Sequence, residues 1–147
     1  MNVRQATQAD IAAMSRIRLS VSENVLRDPT RVTAGMYEDY LERCGRGWVA
    51  EENGEVRAFS YANHVDGSIW ALFVDPAHEG RGLAKPLLAL AEQWLFEQGF
   101  SCIRLSTAAD TRADRFYGRQ GWRRGAVAGH EVEFRLLRED RIVPPQQ

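Results

Sequence analysis

The six residues Glu79-Gly80-Arg81-Gly82-Leu83-Ala84 pose the sharpest chemical question in the chain. An apolar strand-like run ends just before them at Val74, and the helical repeat Leu83, Leu87, Leu90, Ala91, Trp94, Leu95 begins within them. The first N–H groups of a helix have no intrahelical acceptor, and the peptide dipoles make that end electropositive. Glycines at 80 and 82 strip away the side chains that would hold an anion off, and Arg81 adds a cation, so a phosphate could seat there. The plainer reading is a glycine turn before a helix, and the six residues alone leave both readings open. They form neither a Walker loop, which needs Gly-Lys-Ser/Thr, nor a GxGxxG dinucleotide fingerprint.

Few other groups compete for a chemical role. His64, His78 and His130 lack further ligands at metal-binding spacing, which argues against a metal site. Cys44 and Cys102 are far apart and read as thiols of a reducing compartment. Arg115, Arg119, Arg123 and Arg124 cluster near one another, as a solvated face or as an anion patch. A formal net charge of −1 gives no reason to expect a nucleic-acid or anionic-membrane partner. The N-terminus has no apolar signal core, and no apolar run approaches the ~18 residues of a membrane span, so the expectation is a cytoplasmic protein.

The elements that must position these residues follow from periodicity. Residues 2–7 read as a strand, and 7–24 as a helix with Ile11, Met14, Ile17, Arg18 and Val21 at helical spacing, capped by Thr7 or Asp10. Pro29 breaks it, and 33–45 reads as a second helix stopped at Gly45. Asn53-Gly54 and Asp66-Gly67 are two-residue hairpin signals, which make 47–52, 55–64 and 68–74 an antiparallel meander. The last of these, SIWALFV, is apolar throughout, as suits a strand covered on both faces. A long helix closing at Gly99 and a strand at 100–107 complete a parallel βαβ crossover. A shorter helix then carries Ala113, Phe116, Tyr117 and Gln120 at one spacing, before one or two final strands. The expectation is an α+β fold with a mixed central sheet and about four helices. It forms one domain over residues 1–140, and the C-terminal DRIVPPQQ reads as a loose tail, bounded at 141–147.

Two landmarks in this order carry a family resemblance. Val74-Asp75-Pro76 followed by EGRGLA and a long helix resembles motif A of the GNAT superfamily of acyl-CoA-dependent N-acetyltransferases, written Arg/Gln-x-x-Gly-x-Gly/Ala. DTRADRFYGRQGW, residues 110–122, resembles that family's second landmark, an Ala-x-x-x-Tyr helix ending in a Gly-aromatic pair. The resemblance runs nearly the whole chain and implies acetyl-CoA as cosubstrate, with no metal. It puts the diphosphate on the backbone N–H groups of Gly80, Arg81, Gly82, Leu83 and Ala84. It lays the pantetheine arm along Leu72, Phe73 and Val74 like an added strand, with a backbone N–H near Phe73 polarising the thioester carbonyl. Tyr117 matches the tyrosine that can protonate the departing thiolate, and otherwise reads as an aromatic packed beside Phe116. Asp110 stands where many members carry an asparagine touching the cofactor arm.

The same resemblance exposes departures. Glu79 replaces Arg or Gln at the head of motif A, and a carboxylate beside a diphosphate must point away or pair with Arg81 or Arg115. Trp70 stands near the position of a glutamate that many members use as base, which leaves His64, Asp66, Glu79 and His130 as candidates. Trp48 and Trp70 read as core, or one as a wall of the acceptor pocket. Ser22, Glu23, Asn24, Arg27 and Asp28 put polar groups in the segment that usually borders the acceptor. The implied reaction is acetyl transfer to a primary amine of a small molecule or peptide, in a ternary complex, with a homodimer compatible. The rivals are an acyl-CoA sensor without chemistry and a protein-interaction domain of unrelated fold.

Overall fold

The computed structural model describes residues 2–20 and 44–141. Residues 33–43 of the expected second helix, the polar set from Ser22 to Asp28 and residues 142–147 lie outside them, and Gly45, read as that helix's stop, instead opens a strand paired with Asn63. A seven-stranded sheet runs in the order β1-β2-β3-β4-β5-β7-β6. Its strands are β1 (Asn2–Gln5), β2 (Gly45–Glu52), β3 (Glu55–Asn63), β4 (Ser68–Val74), β5 (Cys102–Ala108), β6 (Arg123–Ala128) and β7 (Glu131–Leu137). All neighbours are antiparallel except β4 and β5, which are parallel and are joined by a helix. This is the mixed α+β sheet expected from the sequence. Three α-helices lie among the described residues: α1 (Ile11–Ser20), α2 (Ala84–Glu97) and α3 (Arg112–Arg119).

The sheet is covered on both faces, which explains the unbroken apolar run of β4. On one face α2 buries Leu87, Leu88, Ala91, Trp94 and Leu95 against Trp48, Ile69, Ile103, Leu105, Val132, Phe134 and Leu136. Strand alternation supplies that partner surface in β5 and β7. On the other face α1 lays Ile11, Met14 and Ile17 over Val49, Phe59, Tyr61, Ala71 and Phe73. Trp48 and Trp70 therefore serve opposite faces: Trp48 meets Trp94 edge-on at 5.9 Å, and Trp70 meets Tyr61 at 5.5 Å.

Local chemistry fixes the turns. Asn53 (φ 54°) and Gly54 (φ 79°) make the two-residue hairpin that their types require. Asp66-Gly67 does not: it closes a four-residue loop, 64–67, in which Gly67 N–H reaches back to the Asn63 carbonyl at 3.0 Å. The Asp66 side chain accepts from the N–H and hydroxyl of Ser68, at 3.1 and 2.6 Å, and so acts as a side-chain cap of the strand instead of a turn residue. Thr7 and Asp10 share the first cap, the Asp10 carboxylate accepting from Thr7 N–H at 2.8 Å.

At the C-terminal end, Asp140 and Arg141 are tied down, although the sequence assigns them to the tail. Asp140 accepts from Leu137 N–H and from Arg123. Arg141 donates to the buried Glu92 of α2 at 2.6 and 3.1 Å, and Trp122 Nε1 donates to the same carboxylate at 2.9 Å. A buried carboxylate needs such partners, and these two, through three hydrogen bonds, lock α2 to the end of the sheet.

Candidate active site

β4 and β5 are joined at one register position, Ser68 opposite Arg104, with Arg104 N–H donating to the Gly67 carbonyl at 3.1 Å. Beyond it the two parallel strands part. A β-bulge at Trp70 accounts for part of this: Tyr61 pairs with Ala71 and Ala62 with Ile69, so β4 carries one residue more than β3. A bulge bends its strand and strengthens the local twist, and the ladder to β5 does not resume over Leu72 to Val74. Leu72 to Val74 thus have β3 on one side and no ladder to β5 on the other, an open edge of donors and acceptors.

A cavity of about 420 Å³ lies against the unladdered end of β4, a size suited to a small-molecule site. Its walls are Leu72, Phe73 and Val74 of β4, the turn from His78 to Lys85, and one face of α3. The glycine question resolves here. Gly80 (φ 79°) and Gly82 (φ 76°) both adopt left-handed backbone that favours glycine, and a Cβ on either would meet nothing within 4 Å. They turn the chain, and they also leave bare backbone facing the cavity. α2 starts at Ala84 with Pro86 in its first turn, where the missing N–H would have had no helical acceptor anyway. The Arg81 side chain points elsewhere: it pairs with Glu52 at 2.9 Å and is not among the lining residues. Any part it takes in holding an anion comes from its backbone.

The other wall is α3, which is capped firmly. Thr111 Oγ1 accepts from Asp114 N–H at 3.3 Å, and the Asp114 carboxylate accepts from Asp110 N–H at 2.8 Å. The Arg124 guanidinium grips Asp114 at 2.8 and 2.9 Å and holds its carboxyl below the usual carboxylate range. These contacts set the pitch at which Arg112, Ala113, Phe116, Tyr117 and Gln120 face the cavity. Asp110 sits at the helix entrance with left-handed backbone (φ 62°) and a side chain 93% exposed, away from the cavity lining. Arg119 lines the cavity, whereas Arg123 and Arg124 serve Asp140 and Asp114.

Tyr117 is buried among Phe116, Trp122 and Phe134, with ring centroids 5.5–6.1 Å away, yet it also lines the cavity. It is packed beside Phe116, as one reading of the sequence has it, and it also borders the cavity. Its hydroxyl has no hydrogen bond among the described residues. Burial pushes its pKa well above the ordinary phenol value. A raised pKa keeps the proton on, so a rate that needs the protonated hydroxyl loses nothing from Tyr117 as pH rises to about 10. Initial rates across pH 6 to 10 check this sign. A falling limb below about pH 10 that vanishes in Tyr117→Phe would contradict it.

Of the base candidates, His64 and Asp66 lie in the β3–β4 loop, at the end of β4 opposite the cavity. His64 packs on Trp94 at 5.6 Å. His130 is in the β6–β7 turn and does not line the cavity; Glu79 does, paired with Arg112. Three lining residues carried no assignment in the sequence: His78, Lys85 and Arg112. The signal for Arg112 was the helical repeat itself, since it precedes Phe116 by one turn on the face already marked by Ala113, Phe116 and Gln120. Among the described residues no group of three His, Cys, Asp or Glu is placed to hold a metal ion, and no helix is long and apolar enough to cross a membrane.

An open strand edge, a bare-backbone turn at a helix mouth and a buried tyrosine around one cleft define an enzyme class. The chain belongs to the acetyltransferase (GNAT) family, whose model matches residues 12–122, and it is an acetyl-CoA-dependent N-acetyltransferase. Similar solved structures include the ribosomal-protein-alanine N-acetyltransferase of Brucella melitensis, 20% identical with a TM-score of 0.76, covering 93% of this chain and 99% of that one. The PaiA N-acetyltransferase of Thermoplasma acidophilum, in complex with coenzyme A, is 12% identical with a TM-score of 0.81, covering 92% and 98%. The YncA protein of Salmonella typhimurium, with its cofactor acetyl-CoA, is 20% identical with a TM-score of 0.77, covering 99% and 98%. No curated protein matches the chain by sequence.

Proposed function

We propose that the protein transfers the acetyl group of acetyl-CoA directly to a primary amine of a small molecule or peptide, within a ternary complex in the β4–β5 cleft. The single observation that carries this reading is one cavity bounded by the unladdered end of β4, the glycine turn and Tyr117. Backbone N–H groups from Gly80 to Ala84 hold the diphosphate, those of Arg81 among them. The free edge of Leu72, Phe73 and Val74 takes the pantetheine arm as a guest strand. Asp110 contributes through the turn it makes into α3, since its carboxylate is solvent-exposed.

Acetyl-CoA brings the activated acyl group as a thioester. A backbone N–H near Phe73 polarises the thioester carbonyl as its oxygen gains charge. The Tyr117 hydroxyl donates to the sulfur as the C–S bond breaks. A lysine-like amine, with a pKa near 10.4, reacts after losing a proton to water. Positioning two substrates in one cleft accounts for most of the acceleration. The unpaired thiols of Cys44 and Cys102 support a cytoplasmic setting.

The test is a panel of small amines, amino acids and peptides incubated with acetyl-CoA, with free thiol and acetylated product both measured. Acetylated product from at least one amine is the expected result. Thiol release at the same rate without any amine would sink the transfer reading.

A further inference from the structure

Glu79 and Arg112 form an ion pair that crosses the cofactor cleft. Glu79 heads the glycine turn and Arg112 is the first residue of α3, 33 positions later, so the pair ties one wall to the other. Both line the cavity, and both side chains remain accessible, at 39% and 56%. The carboxylate thus stands beside the bare backbone of Gly80 and Gly82, where an anion has the most donors to gain. Two features keep this from being ordinary surface pairing. Arg81 is already held by Glu52, on the far side of the turn, so it cannot neutralise Glu79. Arg112 also carries the planar fork that grips phosphate oxygens bidentately.

We infer that Glu79 stands in for the cosubstrate's diphosphate on Arg112, and that acetyl-CoA binding exchanges the carboxylate for a phosphate on that guanidinium. The inference rests on acetyl-CoA as the cosubstrate and adds a ligand and its internal competitor. A diphosphate carries more charge than a carboxylate and offers its oxygens to the same fork, so it wins the exchange. Once released, Glu79 turns to solvent through its exposed side. The carboxylate replacing arginine or glutamine at the head of the motif is then a counter-ion in the free protein and a bystander in the complex. Selectivity follows: a thioester arm without phosphate has nothing with which to draw Arg112 away from Glu79.

The experiment is calorimetric titration of wild type, Glu79→Gln and Arg112→Gln with CoA and, separately, with uncharged pantetheine. Removing the competitor should tighten CoA binding about threefold, and removing the ligand should weaken it by at least as much, the scale of an exposed pair. Pantetheine affinity should not change in Glu79→Gln. If both substitutions weaken CoA binding alike, the pair is a brace holding the cleft walls, and the exchange is wrong. An unchanged affinity in either variant, or an equal gain for pantetheine, also overturns it. A wild-type protein that binds no CoA would instead bring down the cosubstrate reading, and the exchange with it.

Discussion

Gly82→Asp should reduce CoA affinity by about a hundredfold while lowering the free protein's melting temperature by only about 2–4 °C. Two separable effects produce the loss. Left-handed backbone at φ 76° costs a residue with a Cβ roughly 1 kcal/mol, which tilts the turn toward conformations that no longer aim its N–H groups together. The carboxylate then faces the diphosphate: two unit charges ~4 Å apart interact by about 4 kcal/mol at an effective dielectric of 20, before screening. Gly82→Ala carries the first effect alone, so the difference between the two variants isolates the charge. The loss of stability should stay small, at the scale of the backbone strain alone, because a Cβ at this position meets nothing within 4 Å and the residue is exposed. Titration of both variants with CoA, beside thermal melts without ligand, is the measurement. Near-wild-type affinity in Gly82→Asp would place the anion site elsewhere.

How much of this site was legible beforehand depends on the range over which each feature is encoded. Asn53-Gly54 fixes its hairpin by local stereochemistry, and the α2 repeat fixes a buried face by period, so both follow from a few neighbouring residues. Gly80 and Gly82 belong to the same kind: φ above zero is a local demand, and the sequence reads it correctly. Asp66-Gly67 has the same letters as a tight hairpin, yet the Asp66 side chain prefers the Ser68 donors and the loop lengthens. That outcome turns on a competition between side-chain and backbone acceptors, which dipeptide signals do not weigh.

The parting of the strands lies beyond any periodic signal. Its bulge at Trp70 depends on the register between β3 and β4, and SIWALFV reads the same with or without it. The partner of Glu79 was equally hidden. Arg81 and Arg115 were the expected ones, being near in sequence or on the neighbouring helix. The choice fell on Arg112, because Arg81 faces Glu52 across β2 and Arg112 opens the helix on the cavity side. Pairings 33 residues apart are decided by how elements pack, and packing is what one sequence states least directly. The family resemblance implies the cleft where pattern does not, while the helical repeat marks the face of α3 that lines the cavity.

Tyr117→Phe should lower kcat on the order of 10²-fold, near the lower end of what a positioned acid contributes, with CoA affinity changed little. The ring sits against Phe116, Trp122 and Phe134, and phenylalanine keeps every one of those contacts, so the cleft wall survives. What is lost is the hydroxyl of one cavity-lining residue. The modest size of the expected loss has a chemical reason: a thiol with a pKa of about 8.5 leaves tolerably well unaided. Burial holds the Tyr117 proton tightly, so its contribution is strongest as a hydrogen bond to sulfur while charge builds there. A poorer leaving group should therefore suffer more from the substitution than a better one. Comparing acetyl-CoA with its oxygen-ester analogue in both proteins measures that difference. An equal fall in CoA affinity, or the same loss for both esters, would show that Tyr117 shapes the cleft and takes no part in the departure.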